Sequence, residues 1–550
     1  MKLDITSFTG EVPWLDSHLL EDTQAEAAID CRLTNGSLRA YYQPADEQVL
    51  NATPQSIYLY RNEGQRYWFD WTTDVDVIRS PVADDPNNRV YYTGTVKGPR
   101  YTDNGLALSG GSDYPVNDHQ LGMPEPDMAP VVTLSGTPLE DAQAVDAETR
   151  FYTYTWVDEN GREGPPSLPS GEISVLPGET VNLTLASGPG VVDMNITHFR
   201  VYTSTQVGVY QLCTQINSLQ GNSGTVATDT PVGVTSVVDQ TPWDQRGGIL
   251  KTIGWIAPPN DLQGMVVLPG GVAVGFSGKE LMFSEPYHLY AWPAAYRLAG
   301  EYDIQSLAVA ANSVIIVTDG YPYVAFGTEP SAMTLERLDT AHACISKRSM
   351  VDMGDMALYA SPDGLVRIAG GRADLMTRNI INPEDWRERF QPETIHGCFH
   401  DGRYFGFYGD ANNSPDKKGG FIFSPDSGTF TEIGTYADAC YRDLQDDTLY
   451  LAIGDTIKAW DKGSDLMPYR WRSKVFQGKP ALFSLARIMA DSYTDLVFRV
   501  FRDEQQILEL PVMSDRGFRL PAGRGSRWQF ELEGTDTVTA VIVASSMAEL

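Results

Sequence analysis

The sequence has no run of eighteen apolar residues, no CxxC pair, and only five cysteines: Cys31, Cys213, Cys344, Cys398 and Cys440. The first absence argues against a membrane-spanning helix. The second argues against a structural zinc site, and an odd, scattered set of thiols suits buried reduced cysteines better than a disulfide framework. The opening MKLDITSFTGEVPWLD lacks the basic and then apolar layout of a secretory leader, so a soluble protein made in the cytoplasm is expected. Positive charge is scarce as well. Lysine and arginine number 41 against 72 aspartates and glutamates, the formal charge is −31, and no lysine lies between Lys97 and Lys251. Such acidity disfavours a protein that wraps nucleic acid by neutralising phosphates. Catalytic signatures are missing too: there is no GxGxxG, P-loop, HExxH or GxSxG in a context that would give it meaning.

What is present is β-structure. Over 550 residues, 42% apolar and 11% aromatic, the chain can bury several cores and is expected to fold nearly throughout. SIYLYR (56–61), RYWFDW (66–71), RVYYTG (89–94), RFYTYTWV (150–157), HFRVYTS (198–204) and TLYLAI (448–453) alternate at period two between turn residues. Helices are predicted only at 19–31, where Ala25, Ala27 and Ala28 could face a sheet, and at 382–390, with Asn382 as cap and Pro383 opening the turn. Asp401-Gly402 predicts a two-residue hairpin turn, because both positions of such a turn need positive φ.

A strand, polar turn and strand recur around SPDG (361–364), SPDSG (424–428) and GDTIKAWD (454–461), as in the blades of a β-propeller. Residues 130–243 read differently, as strands at sandwich-like spacing with twelve acidic and three basic side chains. The fold class expected is all-β: a β-propeller with its N-terminal part at 1–129, a fibronectin III-like sandwich inserted at 130–243, the remaining blades at 244–470, and a C-terminal β-domain at 471–550. Between Arg470 and Trp528 eleven basic side chains face six acidic ones, leaving that segment about +5 and suggesting a docking surface or a solvated face.

Few side chains invite chemistry. His396, Cys398 and His400 share one face of a strand and could offer two imidazoles and a thiolate to a metal, but no fourth ligand is adjacent and packing is the simpler reading. SPDSGTFTEI nearly matches the Asp-box turn of sialidases, which makes Asp426 a turn residue. Asp70, Asp74, Asp76, Asp84 and Asp85 crowd one stretch without the glycine of a calcium loop, so structural acidity is expected. Trp292 and Tyr287 are expected to pack between blades, with sugar stacking as the alternative. The Gly-Tyr-Pro loop within 310–330 could plug a lumen, but an ordinary blade connection is expected. No catalytic, cofactor-binding or metal-binding residue is assigned.

AEAAIDCRLTNGSLRAYYQP (25–44), DVDVIRSPVADDPNNRVYYTGTVKGPRYT (74–102), PPNDLQGMVVLPGGVAVGFSGKELMFSEPYHLYAWPAAY (258–296), HACISKRSMVDMGDMALYASPDGLVRIAGG (342–371) and the closing RWQFELEGTDTVTAVIVASSMAEL together resemble virion proteins of tailed bacteriophages. The nearest class is the β-propeller tail nozzle, tail tubular protein B. The resemblance implies a non-enzymatic homohexameric ring in the virion tail, contacting tail adaptor and fibre proteins and passing double-stranded DNA, with no cofactor. An acidic lumen would let DNA slide. The rival expectations are a carbohydrate-binding or carbohydrate-cleaving propeller, which needs a carboxylate pair in a pocket, and a fibre-attachment adaptor of the virion.

Overall fold

The computed structural model describes residues 2–188, 192–205, 209–218, 226–409 and 417–550, nearly all in antiparallel strands and their turns. The chain forms two compact units: Met1–Val75 with Glu301–Phe326 and Leu335–Leu550, and Asp76–Gly300 with Gly327–Thr334.

The first unit carries a series of meandering sheets, each strand pairing with the next in sequence, which are the blades of a β-propeller fold. One opens with Ile304–Ala310, Ser313–Thr318 and Tyr323–Phe326. The next has Val351–Asp352, Met356–Ser361, Gly364–Ala369 and Arg372–Leu375. A third has His396–His400, Arg403–Tyr408, Gly419–Phe423 and Phe430–Ile433. The fourth combines Ala439–Asp443, Thr448–Ile453 and Thr456–Ala459 with an outer strand, Ala45–Val49, from far upstream. First strands of successive blades pack on one another, so the blades that follow the first are covered on both faces. Thr448–Ile453 shows what this asks of sequence. Leu449 and Leu451 enter one core while Tyr450 and Ala452 enter the next, so both sets of alternating positions are apolar.

Local expectations are met at several points. Asp401 and Gly402 have φ of +52° and +72° and join His400 to Arg403 in register. Ser361 pairs Gly364 across the SPDG turn. The helix Pro383–Phe390 starts at Asn382, whose side chain accepts from the Asp385 amide at 2.8 Å, and it buries Trp386 and Phe390. The 310–330 stretch is an ordinary blade connection between Ser313–Thr318 and Tyr323–Phe326.

The terminal β-domain is a two-sheet sandwich. One sheet orders Lys2–Ile5, Val538–Ala544, Leu485–Ala490 and Phe518–Arg519; the other orders Ala25–Ile29, Tyr469–Ser473, Gly525–Gly534, Leu496–Arg502 and Gln505–Pro511. Phe8, Trp471, Phe498, Phe530 and Val541 lie in its core. Two expectations are corrected here. The segment 19–31 is not a helix: its Ala25–Ile29 part is a strand paired with Tyr469–Ser473, because burying Ala25 and Ala28 against that sheet outweighs alanine's helical preference. The N-terminal segment therefore joins the terminal sandwich before entering the propeller, and the boundary placed at 471 cuts the strand Tyr469–Ser473.

In the second unit, two further four-stranded sheets, Asp76–Arg79 to His119–Gln120 and Gln263–Leu268 to Leu298–Ala299, pack through their first strands. Between them in sequence lies a sandwich over 131–239, its sheets built around Glu179–Thr184 and Glu148–Asp158. Tyr152, Tyr154, Trp156, Phe199, Val181 and Val237 fill it.

Candidate functional site

Most residues singled out in the sequence are placed in structural roles. His396 is buried and stacked on Phe407 at 5.4 Å, and burial holds its imidazole well below the usual range and neutral. Cys398 lies in the same core as Phe407, and His400 lies against Phe405 of that core. Among the described residues no three His, Cys, Asp or Glu side chains are grouped as metal ligands. Asp74 pairs with Lys347 at 2.8 Å, Asp76 accepts from the Gly264 amide at 2.9 Å, and Asp85 pairs with Arg89 at 2.8 Å. Asp426 is exposed at its turn, closed by a Gly428 amide bond to the Ser424 carbonyl at 2.9 Å, with Phe430 packed behind. Trp292 is buried and donates to the Leu289 carbonyl at 2.8 Å. Tyr287 departs from the expected packing: it is 55% exposed at φ +62°, its ring lying against Gly271, where a Cβ would not fit.

Burial of charge is concentrated in cross-ties that sequence reasoning missed. Arg100, 2% exposed, reaches Asp118 and Asp193, and Asp118 also accepts from the Tyr92 hydroxyl at 2.6 Å. Arg162 pairs with Asp158 at 2.6 Å beneath the Tyr101 ring, and Arg246 pairs with Asp239 at 3.0 Å while Tyr152 donates to the same carboxylate at 2.9 Å. Only Asp158 and Arg162 are close in sequence, so spacing gave no signal for the rest. In the terminal sandwich Arg470 and Arg499 both pair with Glu531 at 2.9 Å, and Arg499 also with Glu509 at 3.1 Å. Part of the basic excess is thus neutralised within the domain. Lys479, Arg516, Arg519 and Arg524 stay exposed and form no ion pair among the described residues.

Two cavities of the first unit flank the turn 424–429, the segment read as Asp-box-like. The larger, 290 Å³, has walls from Cys31, Leu33, Thr34 and Tyr41 on one side and Arg403, Ile422, Ser424, Ser427, Thr429 and Thr431 on the other. The smaller, 160 Å³, lies between residues 9–12, 21–24 and 427–430 and includes Glu11 in its wall. Glu11 Oε1 accepts from the Ala28 amide at 2.7 Å, while Oε2 lies 3.6 Å from Arg389 Nη2, which also pairs with Glu432. Burial pushes the Glu11 carboxyl up to about 7, and Arg389 pulls against it. Asp30 is pushed up to about 6 by burial, opposed by the Gly434 amide it accepts from at 2.9 Å. Perturbed carboxyls beside a cavity are a general sign of acid–base chemistry. Here the Glu11 side chain is 0% exposed, so it has no oxygen to present to a substrate. The arrangement holds a buried charge cluster together; it does not form an acid–base pair facing a pocket.

Compared with known proteins, the chain matches no family model and no curated sequence. Among solved structures it is similar to XC5397 from Xanthomonas campestris, a gluconolactonase, at 11% identity over 49% of this chain and 82% of that one, TM-score 0.24. It is similar to the exo-beta-1,3-galactanase Pc1,3Gal43A from Phanerochaete chrysosporium at 10% identity over 54% and 99%, TM-score 0.21. Kluyvelomyces marxianus Hsv2 aligns at 9% identity over 62% and 95%, TM-score 0.26. At these scores none bears on function, and the fold assignment rests on the sheets themselves.

Proposed function

We propose that the chain is a non-enzymatic structural component of a bacteriophage tail, a distal nozzle or tube ring that retains the genome and then conducts it. The observation that carries the reading is the use of ionisable groups: Arg100, Arg246, Asp239 and Glu531 are tied into ion pairs within their own units, and neither of the two cavities beside the turn 424–429 presents two accessible carboxyls. Internal pairing of that kind suits a structural role, whereas a glycosidase needs a carboxyl pair facing a pocket. The sequence resemblance supplies the virion context, and a charge of −31 suits a wall past which DNA moves without adhering. On this reading copies of the chain form a homohexamer, meet adaptor and fibre proteins of the tail, and reside in the virion.

Mass measurement and negative-stain imaging of the purified protein test this. Sixfold rings are expected. Threefold particles would favour a fibre-attachment adaptor, and a monomer that hydrolyses a glycan would refute the structural reading.

A further inference from the structure

The 290 Å³ cavity has a chemistry that the scaffold role does not use. Thr431 is 4% exposed as a residue and lines the cavity, and its hydroxyl, which makes no hydrogen bond to the described residues, is open to the cavity. A hydroxyl that faces a cavity without a protein partner keeps its donor and acceptor capacity for a molecule placed there. The hydroxyls of Ser424 and Thr34 also line the cavity without a protein partner among the described residues. Ser427 donates to Thr429 at 2.8 Å, and each of these hydroxyls can still make a further bond. Leu33 and Ile422 supply apolar wall between these groups.

Charge narrows the ligand class. Arg403, the cationic side chain of the wall, is already neutralised: it donates to Asp401 at 2.6 Å and to the Tyr41 hydroxyl at 2.9 Å. Neighbouring Arg32 pairs with Asp461 at 2.9 Å. An anion would find no uncompensated cation, and a cation would meet a guanidinium. Several unpaired hydroxyls, an apolar wall and no net charge, in a space near the lower end of small-molecule sites, match a compact neutral polyol.

We propose that this cavity binds one neutral monosaccharide unit, with the Thr431, Ser424 and Thr34 hydroxyls as its polar contacts. The inference does not depend on ring formation, and its test reads binding and not assembly.

Saturation-transfer NMR on the full-length protein would use methyl glycosides of glucose, galactose, mannose, N-acetylglucosamine and rhamnose, with glucuronate and inorganic phosphate as charged probes. At least one neutral glycoside is expected to bind in the millimolar range. Thr431→Val, which keeps shape and removes the hydroxyl, should weaken it about tenfold. Thr34→Tyr, at an exposed rim position, should abolish it, with thermal unfolding showing that both variants fold. A matching disaccharide arm separates sources: equal affinity means a free sugar suffices, and tighter binding means the end of a longer glycan. No transfer to any neutral glycoside, transfer to the charged probes alone, or binding unchanged in a folded Thr34→Tyr variant would overturn the proposal.

Discussion

Replacing Glu11 by glutamine should make the first unit more stable at pH 8 than at pH 5 relative to wild type. Glutamine keeps an oxygen for the Ala28 amide, which Glu11 accepts at 2.7 Å, and cannot ionise. The folded carboxyl titrates near 7 against 4.5 for the free group, because burial disfavours its charge more than Arg389 favours it. Between those values the native state holds a proton that the unfolded chain has released, so stability falls as pH rises from about 4.5 and levels off above about 7. A difference of about 2.5 pH units corresponds to roughly 3 kcal/mol at most. Wild type should carry that cost at pH 8 and the variant should not. Below pH 4.5 the two should differ only by a constant, the effect of placing an amide beside Arg389. Asp30, raised to about 6, has the same sign but is common to both proteins and cancels. The assay is urea unfolding of both proteins from pH 4.5 to 8, followed by tryptophan fluorescence. Parallel curves across that range would mean that Glu11 stays ionised when folded, and the burial argument would be wrong.

Two further outcomes follow from the same physics. Asp239→Asn leaves Arg246, paired at 3.0 Å and 2% exposed, as a buried cation without a counter-charge, so the second unit should lose about 3–5 kcal/mol; Arg246→Met in the same chain should recover much of that loss in urea unfolding. In native protein a thiol reagent at pH 8 should modify Cys440 alone, since Cys31, Cys213, Cys344 and Cys398 are buried and burial pushes the Cys344 thiol up to about 12; rapid labelling of two or more sites without denaturant would contradict this.

How much was legible in the sequence depended on whether the deciding contact was local. Asp401-Gly402, the Asn382 cap and the alternating strands of 150–157 and 198–204 carry their own instructions, and they fold as read. Ala25–Ile29 does not, because its partner strand lies at 469–473 and short-range preference points to a helix. Ala45–Val49 is mostly exposed and shows no apolar period, so nothing in ADEQV announces a blade strand. The Glu11, Arg389 and Glu432 cluster draws on three distant segments and follows no spacing rule. The cavity walls beside 424–429 were invisible for the same reason, although the turn between them was read correctly.

The pairing of Lys2–Ile5 with Val538–Ala544, and of Ala45–Val49 with Thr456–Ala459, has a consequence for biosynthesis. A ribosome adding roughly 5–20 residues per second releases the early strands about 20 s or more before their partners emerge. During that interval the opening segment is a set of unpaired strand edges in need of protection. Folding of the terminal sandwich therefore waits until the strands between Leu485 and Ala544 have been made.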